Sequence, residues 1–215
     1  MDNQEIKPEG SEYWENRRVD DSRKDWRDSS GNNWIAEYWS SQNHPHRKLI
    51  IGALEKVYPF NNLLEIGCNA GPNLAAIEQR WPFVKLYGID LNNEAINYAA
   101  DRLPGANLFK FNVLNMPFFS RQFDCTLADA SLMYVPPEDI KKAMDKINEV
   151  TDKSIVICDW DSDSKEGIIK DGHWARDYGQ WLKDFGFKVE KIKLTNKDWP
   201  AVNWIKNGNL WIAQR

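Results

Sequence analysis

LLEIGCNAG, from Leu63 to Gly71, and LYGIDL, from Leu86 to Leu91, decide the fold of this chain. Together they read as a strand, a glycine-bearing turn, a helix and a second strand that ends on an acid. A short apolar run closing on an acidic residue suits a buried parallel strand whose carboxyl end meets a ligand. Gly67 and Gly71 take side-chain bulk out of the turn, and Asn69 tolerates a left-handed backbone, so the chain can approach a ligand backbone-first. The pattern places a nucleotide-like cofactor at the carboxyl edge of a sheet.

Strand and helix patterns alternate outward from this unit. Strands are predicted at Leu63 to Gly67, Lys85 to Asp90, Asn107 to Phe111, Asp124 to Ala128 and Ser154 to Cys158. Helices are predicted at Asn73 to Arg80, Glu94 to Arg102 and Pro137 to Val150. This alternation predicts right-handed crossovers and a parallel sheet covered on both faces. Before it, Leu49, Ile50, Ala53, Leu54 and Val57 recur at helical spacing and Pro59 closes the run. After it, His173 to Phe185 reads as one helix stopped by Gly186. Lys188 to Leu194 and Asn209 to Ala213 read as closing strands with a short connection, pairing antiparallel at an edge. Residues 1–43 read as a partly flexible start that becomes an N-terminal cap, because Tyr13, Trp14, Trp26, Trp34 and Trp39 interrupt a polar background. Residues 44–215 read as one domain.

The chain has 215 residues, 42% of them hydrophobic, which suffices for a single α/β core with appendages. A formal net charge of -4 gives no general footprint for nucleic acid, so that partner is a minority reading. Cys68, Cys125 and Cys158 form no CxxC pair, which argues against a metal site or a disulfide framework and for reduced, buried thiols. The first residues hold no apolar signal core, and no apolar run has membrane-spanning length. A soluble, cytoplasmic protein without a membrane partner is expected, and nothing in the sequence sets its oligomeric state. The 11 tryptophans leave two readings open, core anchors or an aromatic-lined substrate pocket.

A dinucleotide site would need G-x-G-x-x-G, and Gly67-Cys68-Asn69-Ala70-Gly71 lacks that spacing; no GK[ST] follows to make a P-loop. LLEIGCNAG, GID, FKFNVLNMPF and FDCTLADASLMYV, taken in order, resemble the consecutive motifs of the class I S-adenosylmethionine-dependent methyltransferases. The resemblance covers Leu49 to Asp159. It implies a single Rossmann-like doubly wound α/β sheet, mostly parallel with an antiparallel edge strand, helices on both faces, and S-adenosyl-L-methionine as cofactor. It further implies that Glu65 and the turn through Gly67, Cys68, Asn69 and Gly71 lie along the methionine portion. Asp90 would accept from both ribose hydroxyls, and Leu91 would pack near the adenine. Asn112 and Val113 would meet the adenine edge, and Asp129 would lie near the cofactor's amino group. Asn69 and Asn112 depart from the commoner glycine and acid of the family. Taken alone, Asp90 is also compatible with capping the helix that follows.

Methyl transfer from a sulfonium asks the protein chiefly to align nucleophile, methyl carbon and sulfur. Acceptor-handling groups belong at the carboxyl ends of the fourth and fifth strands or on elements covering them. That favours Ser131, Tyr134, Asp159, Asp161 and His173, with His173 as candidate general base and Tyr134 as candidate to orient the acceptor. His173 is also compatible with starting a helix or packing on Trp174, and Tyr134 with a packing contact. Arg47, in HPHRK, has two equal readings, a guanidinium that meets the cofactor's carboxylate or part of a polar helix entry; His44 and His46 suggest no metal. The expected activity is methylation of a small-molecule oxygen or nitrogen by in-line displacement. RNA or protein methylation, and a non-catalytic S-adenosylmethionine-binding regulator, are the alternatives.

Overall fold

A computed structural model of the chain describes residues 10–19 and 33–215. Residues 1–9 and 20–32, where a flexible start was expected and which include Trp26, lie outside the described residues. Helices α1 (Ser11–Asn16), α2 (Trp34–Ser40) and α3 (Pro45–Val57) precede the sheet. Then follow β1 (Asn62–Ile66), α4 (Pro72–Arg80), β2 (Lys85–Asp90), α5 (Asn93–Ala100), β3 (Asn107–Lys110), β4 (Phe123–Asp129), α6 (Pro137–Val150) and β5 (Thr151–Trp160). A hairpin of β6 (Ile168–Lys170) and β7 (His173–Ala175), α7 (Tyr178–Asp184), β8 (Lys188–Lys193), α8 (Val202–Asn207) and β9 (Gly208–Gln214) complete the chain.

One 7-stranded sheet runs in the order β3-β2-β1-β4-β5-β9-β8. Strands β1 to β5 are mutually parallel, and β9 runs against both β5 and β8. The order reverses between β1 and β4, and ligands bind in the crevice at such a switch point. Strand alternation divides the core: Leu63, Val156 and Cys158 join α3 and α4 on one face, while Leu64, Ile155 and Ile157 join α6 and α7 on the other. Helix α6 buries Ile140, Ala143, Met144, Ile147 and Val150, the apolar stripe its sequence spells out.

Two expectations are corrected. His173 to Phe185 is not one helix: His173, Trp174 and Ala175 pair with β6, and α7 begins later, where Asp177 caps the amide of Gln180 at 3.0 Å. The hairpin's tip is Asp171-Gly172, both at positive φ (45° and 79°), the two-residue turn an Asp-Gly pair favours. The connection between the closing strands is not short either, since it carries α8. Stacked Trp199 and Trp204 (centroids 3.7 Å apart, planes 4° apart) anchor that segment.

Candidate functional site

A cavity of about 860 Å³ opens at the carboxyl ends of β1, β2 and β4. Its floor is the turn after β1, where the amides of Gly67 and Cys68 both donate to the Ile89 carbonyl at 2.8 and 2.9 Å. Gly67 (φ 71°) could carry no side chain, because a Cβ would lie 2.5 Å from Ser131 Cβ. Asn69 sits at φ 49°, the left-handed backbone expected of it. Cys68 presents backbone to the cavity, while its Sγ packs under Gly88 in the core. Gly71 does not line the cavity: it begins α4 at φ 80°, and a Cβ there would meet Leu103 at 2.9 Å.

Asp90 ends β2 with its carboxylate on the turn, accepting from the Asn69 amide and the Asn92 amide, each at 2.8 Å. Helix capping belongs instead to Asn92, whose side chain accepts from Ala95 N at 2.9 Å. Leu91, Asn112 and Val113 line the same end of the cavity. The Asn112 side-chain oxygen accepts from Leu114 N at 2.9 Å and so starts the short helical turn Val113–Asn115.

Behind the turn lies a buried polar cluster that joins distant parts of the chain. Asn73 Nδ2 donates to Glu65 Oε1 at 2.7 Å and to Asp129 Oδ2 at 3.0 Å. Arg47 Nη1 donates to Asn73 Oδ1 at 2.7 Å, and its Nε and Nη2 hold Ser41. His46 Nε2 lies 3.1 Å from Asp129 Oδ2, and its Nδ1 meets Nδ1 of His44. Burial pushes Glu65 up to about 8, against the bond from Asn73. Burial also works against ionised Asp129, but His46, Arg47 and Asn73 outweigh it and hold the carboxyl well below its usual range. Asn73 and His46 were not foreseen as site residues; they reach Asp129 from 56 and 83 positions away in sequence, and such a link has no local signature.

This cluster makes a pH prediction. Native Glu65 keeps its proton to about 8, and burial likewise holds Asp159 up to about 7. Unfolded, both groups ionise near pH 4, so the native state binds more protons and stability falls as pH rises between those limits. Asp129 is ionised in both states throughout that window and contributes no slope. Glu65→Gln is expected to lose about 2 kcal/mol less stability than the wild type between pH 6 and 9. Urea unfolding at the two pH values measures this, and parallel losses would refute it.

The far wall of the cavity is aromatic. His46 stacks on Trp199 (4.0 Å), Trp199 on Trp204, and Trp204 meets the edge of Trp160 (5.9 Å). Trp160 meets His173 (4.8 Å), His173 meets Tyr134 (5.2 Å), and Tyr134 meets Trp14 of α1 (5.1 Å). Both His173 and Tyr134 therefore line the cavity, and the Asp171 carbonyl lies 3.0 Å from His173 Nδ1. Ser131 lines the cavity too, but its hydroxyl donates to the Ile66 carbonyl at 2.9 Å. Asp159 and Asp161 do not line it: Asp159 accepts from the Met133 and Trp160 amides inside the core, and Asp161 pairs with Lys191 at 2.7 Å. The segment carrying Trp14 is tied down by Asn92 Nδ2, which donates to the carbonyls of Trp14 (2.9 Å) and Arg17 (2.7 Å).

Residues 63–154 match the methyltransferase domain family. The chain is 30% identical over 110 residues to trans-aconitate 2-methyltransferase of Afipia carboxidovorans, a match covering 48% of this chain and 41% of that protein. It thus spans about two fifths of the length of that relative. Geranyl diphosphate C-methyltransferase of Streptomyces coelicolor shares the fold at a TM-score of 0.69 and 14% identity, over 95% of this chain and 96% of that one. A SAM-dependent methyltransferase from Aquifex aeolicus aligns at 0.61 and 18% identity, over 84% and 96% of the two chains. With the glycine turn and the acid ending β2 inside the matched residues 63–154, that segment is similar to the methyltransferase domain family, and the sheet order is the fold the chain shares with S-adenosylmethionine-dependent methyltransferases of known structure.

Proposed function

We propose that the protein uses S-adenosyl-L-methionine to methylate an oxygen or nitrogen of a small-molecule acceptor. One observation carries this reading: a single cavity joins the Gly67 turn and Asp90 at one end to Tyr134 and His173 at the other. The residues fit the cofactor's chemistry. Asp90 offers a carboxylate for a vicinal diol, Gly67 leaves room for close backbone approach, and Glu65 Oε2 and Asp129 Oδ1 are buried with no hydrogen-bond partner among the described residues. Arg47 and Asp129 would hold the amino-acid end, and Leu91, Asn112 and Val113 the adenine. When bound, the cofactor supplies an electrophilic methyl group on a sulfonium.

The chain's own task is then positioning. The aromatic wall excludes water and fixes the acceptor, and Tyr134 orients it. Asp171 O favours the His173 tautomer protonated at Nδ1, leaving Nε2 as the proton-accepting atom. Residues 1–43 act as a cap in this reading, supported by Trp14 and Tyr38 on the cavity wall. Buried thiols at Cys68, Cys125 and Cys158 suit a reducing compartment such as the cytoplasm, and no described helix is long and apolar enough to cross a membrane.

Release of S-adenosylhomocysteine in the presence of small molecules, RNA or protein tests the reading. Turnover with a small molecule is expected. For that acceptor, His173→Ala should lower kcat about 100-fold while cofactor affinity stays unchanged. Turnover confined to a macromolecule, or cofactor binding without any turnover, would refute the proposal in favour of one of the alternatives.

A further inference from the structure

The acceptor end of the cavity has a distinctive chemistry. Trp199, Trp204, Trp160, His173, Tyr134 and Trp14 form an unbroken chain of ring-to-ring contacts along its wall. Such rings offer negative faces and positive edges, suited to flat ring systems and to cations. The carboxylates elsewhere on the lining are Asp90, at the cofactor end, and Asp129 and Asp139, while Glu65 is held protonated by burial. Among the described lining residues Arg47 is the one arginine or lysine; it bonds Ser41, Asn73 and Asp129 and, in the reading above, is committed to the cofactor's amino-acid end. At the rim, Val202 is 78% exposed and presents an apolar edge to solvent.

From this, and resting on the methyltransferase reading above, we propose that the acceptor is a small planar ring compound, uncharged or cationic, bearing the nucleophilic nitrogen or oxygen. A polycarboxylate is excluded. Anionic groups brought here would be desolvated near Asp129 and Asp139, with no uncommitted arginine or lysine among the described lining residues to pair them. A flat ring instead exchanges water for aromatic faces on several sides. In the transfer, the acceptor's lone pair forms the new bond to the methyl carbon. The carbon–sulfur bond breaks with its electron pair on sulfur, and a proton on the acceptor atom leaves to His173 or water. The chain therefore departs in acceptor chemistry from the trans-aconitate methyltransferase it partly matches.

Calorimetric titration of the full chain, saturated with S-adenosylhomocysteine, tests this with isoquinoline, tryptamine and 4-hydroxyindole against trans-aconitate. At least one ring compound is expected to bind with Kd below about 1 mM and at least about tenfold tighter than trans-aconitate. Trp160→Leu should weaken that binding about tenfold, with S-adenosylhomocysteine affinity unchanged. Val202→Lys, at an exposed position that puts no fold at risk, should weaken tryptamine about threefold and strengthen trans-aconitate. Failure of all three ring compounds to bind, trans-aconitate binding as tightly as they do, or a Val202→Lys variant with the reverse preference would overturn the proposal. The cofactor titration is read separately. Absent S-adenosylhomocysteine binding with ring compounds still saturating the apo chain would remove the methyltransferase reading and leave the aromatic site standing.

Discussion

Asp90→Ala is expected to fold and to lose at least about 100-fold in S-adenosylmethionine affinity, because two charge-assisted hydrogen bonds to a diol contribute about 3 kcal/mol or more. The carboxylate is already aimed: it is held at the end of β2 by the amides of Asn69 and Asn92. Burial raises its pKa, and bonds from the amides of Asn92, Asn69 and Leu91 work against that rise and favour the ionised form a diol needs. The substitution takes a hydrogen-bond acceptor from both turn amides, so a modest fall in thermal stability accompanies the loss. Asp90→Asn separates the effects, since it keeps one acceptor oxygen for the turn but forfeits the charge. Calorimetric titration of the two variants checks the prediction, and wild-type affinity in Asp90→Ala would remove this residue from the cofactor site.

Arg176→Met is expected to destabilise the fold by about 3–5 kcal/mol. The side chain is fully buried and does not itself line the cavity. Its guanidinium donates to the carbonyls of Glu166 (2.8 Å), Leu132 (2.9 Å) and Val135. Two of those carbonyls bracket Tyr134, and the Arg176 backbone amide donates to Trp160 O at 2.9 Å beside the β7 strand that carries His173. Arg176 is thus the peg on which both acceptor-side residues hang. Its removal leaves one buried and two part-buried carbonyls without this donor and takes from Asp159 a cation that lowers its pKa. Lysine should rescue poorly, because a point charge cannot reproduce a planar fork. Urea unfolding measures the loss, and a change below about 1 kcal/mol would show that the fork contributes little.

Much of this architecture was legible because its signals are local. Leu63 to Ile66 and Leu86 to Asp90 are short apolar runs with glycine punctuation, and the sheet needs nothing more to place them side by side. Asn69 at positive φ follows from the same nine residues, whereas the close approach of Ser131 to Gly67 is a tertiary contact. The hairpin of β6 and β7 was obscured because His173 to Phe185 has helix-compatible composition, while the Asp171-Gly172 turn gives only a two-residue sign. Asp159 and Asp161 looked like acceptor-side acids because they follow Cys158, the expected end of the fifth strand. One turned out to accept backbone amides in the core, and the other pairs with Lys191 of β8.

The sequence by itself determined the parallel core, the glycine turn and the acid at Asp90, because backbone conformation and strand burial are dictated by neighbours along the chain. Tertiary structure alone decided what faces the donor. His46, Asn73 and Asp129 meet through side-chain bonds across the sheet, and Trp14, Tyr134, Trp160, Trp199 and Trp204 close around one cavity from separate segments. Each of these residues is an ordinary polar or aromatic residue locally. Their chemistry arises from desolvation and mutual contact, which exist only once the chain has packed.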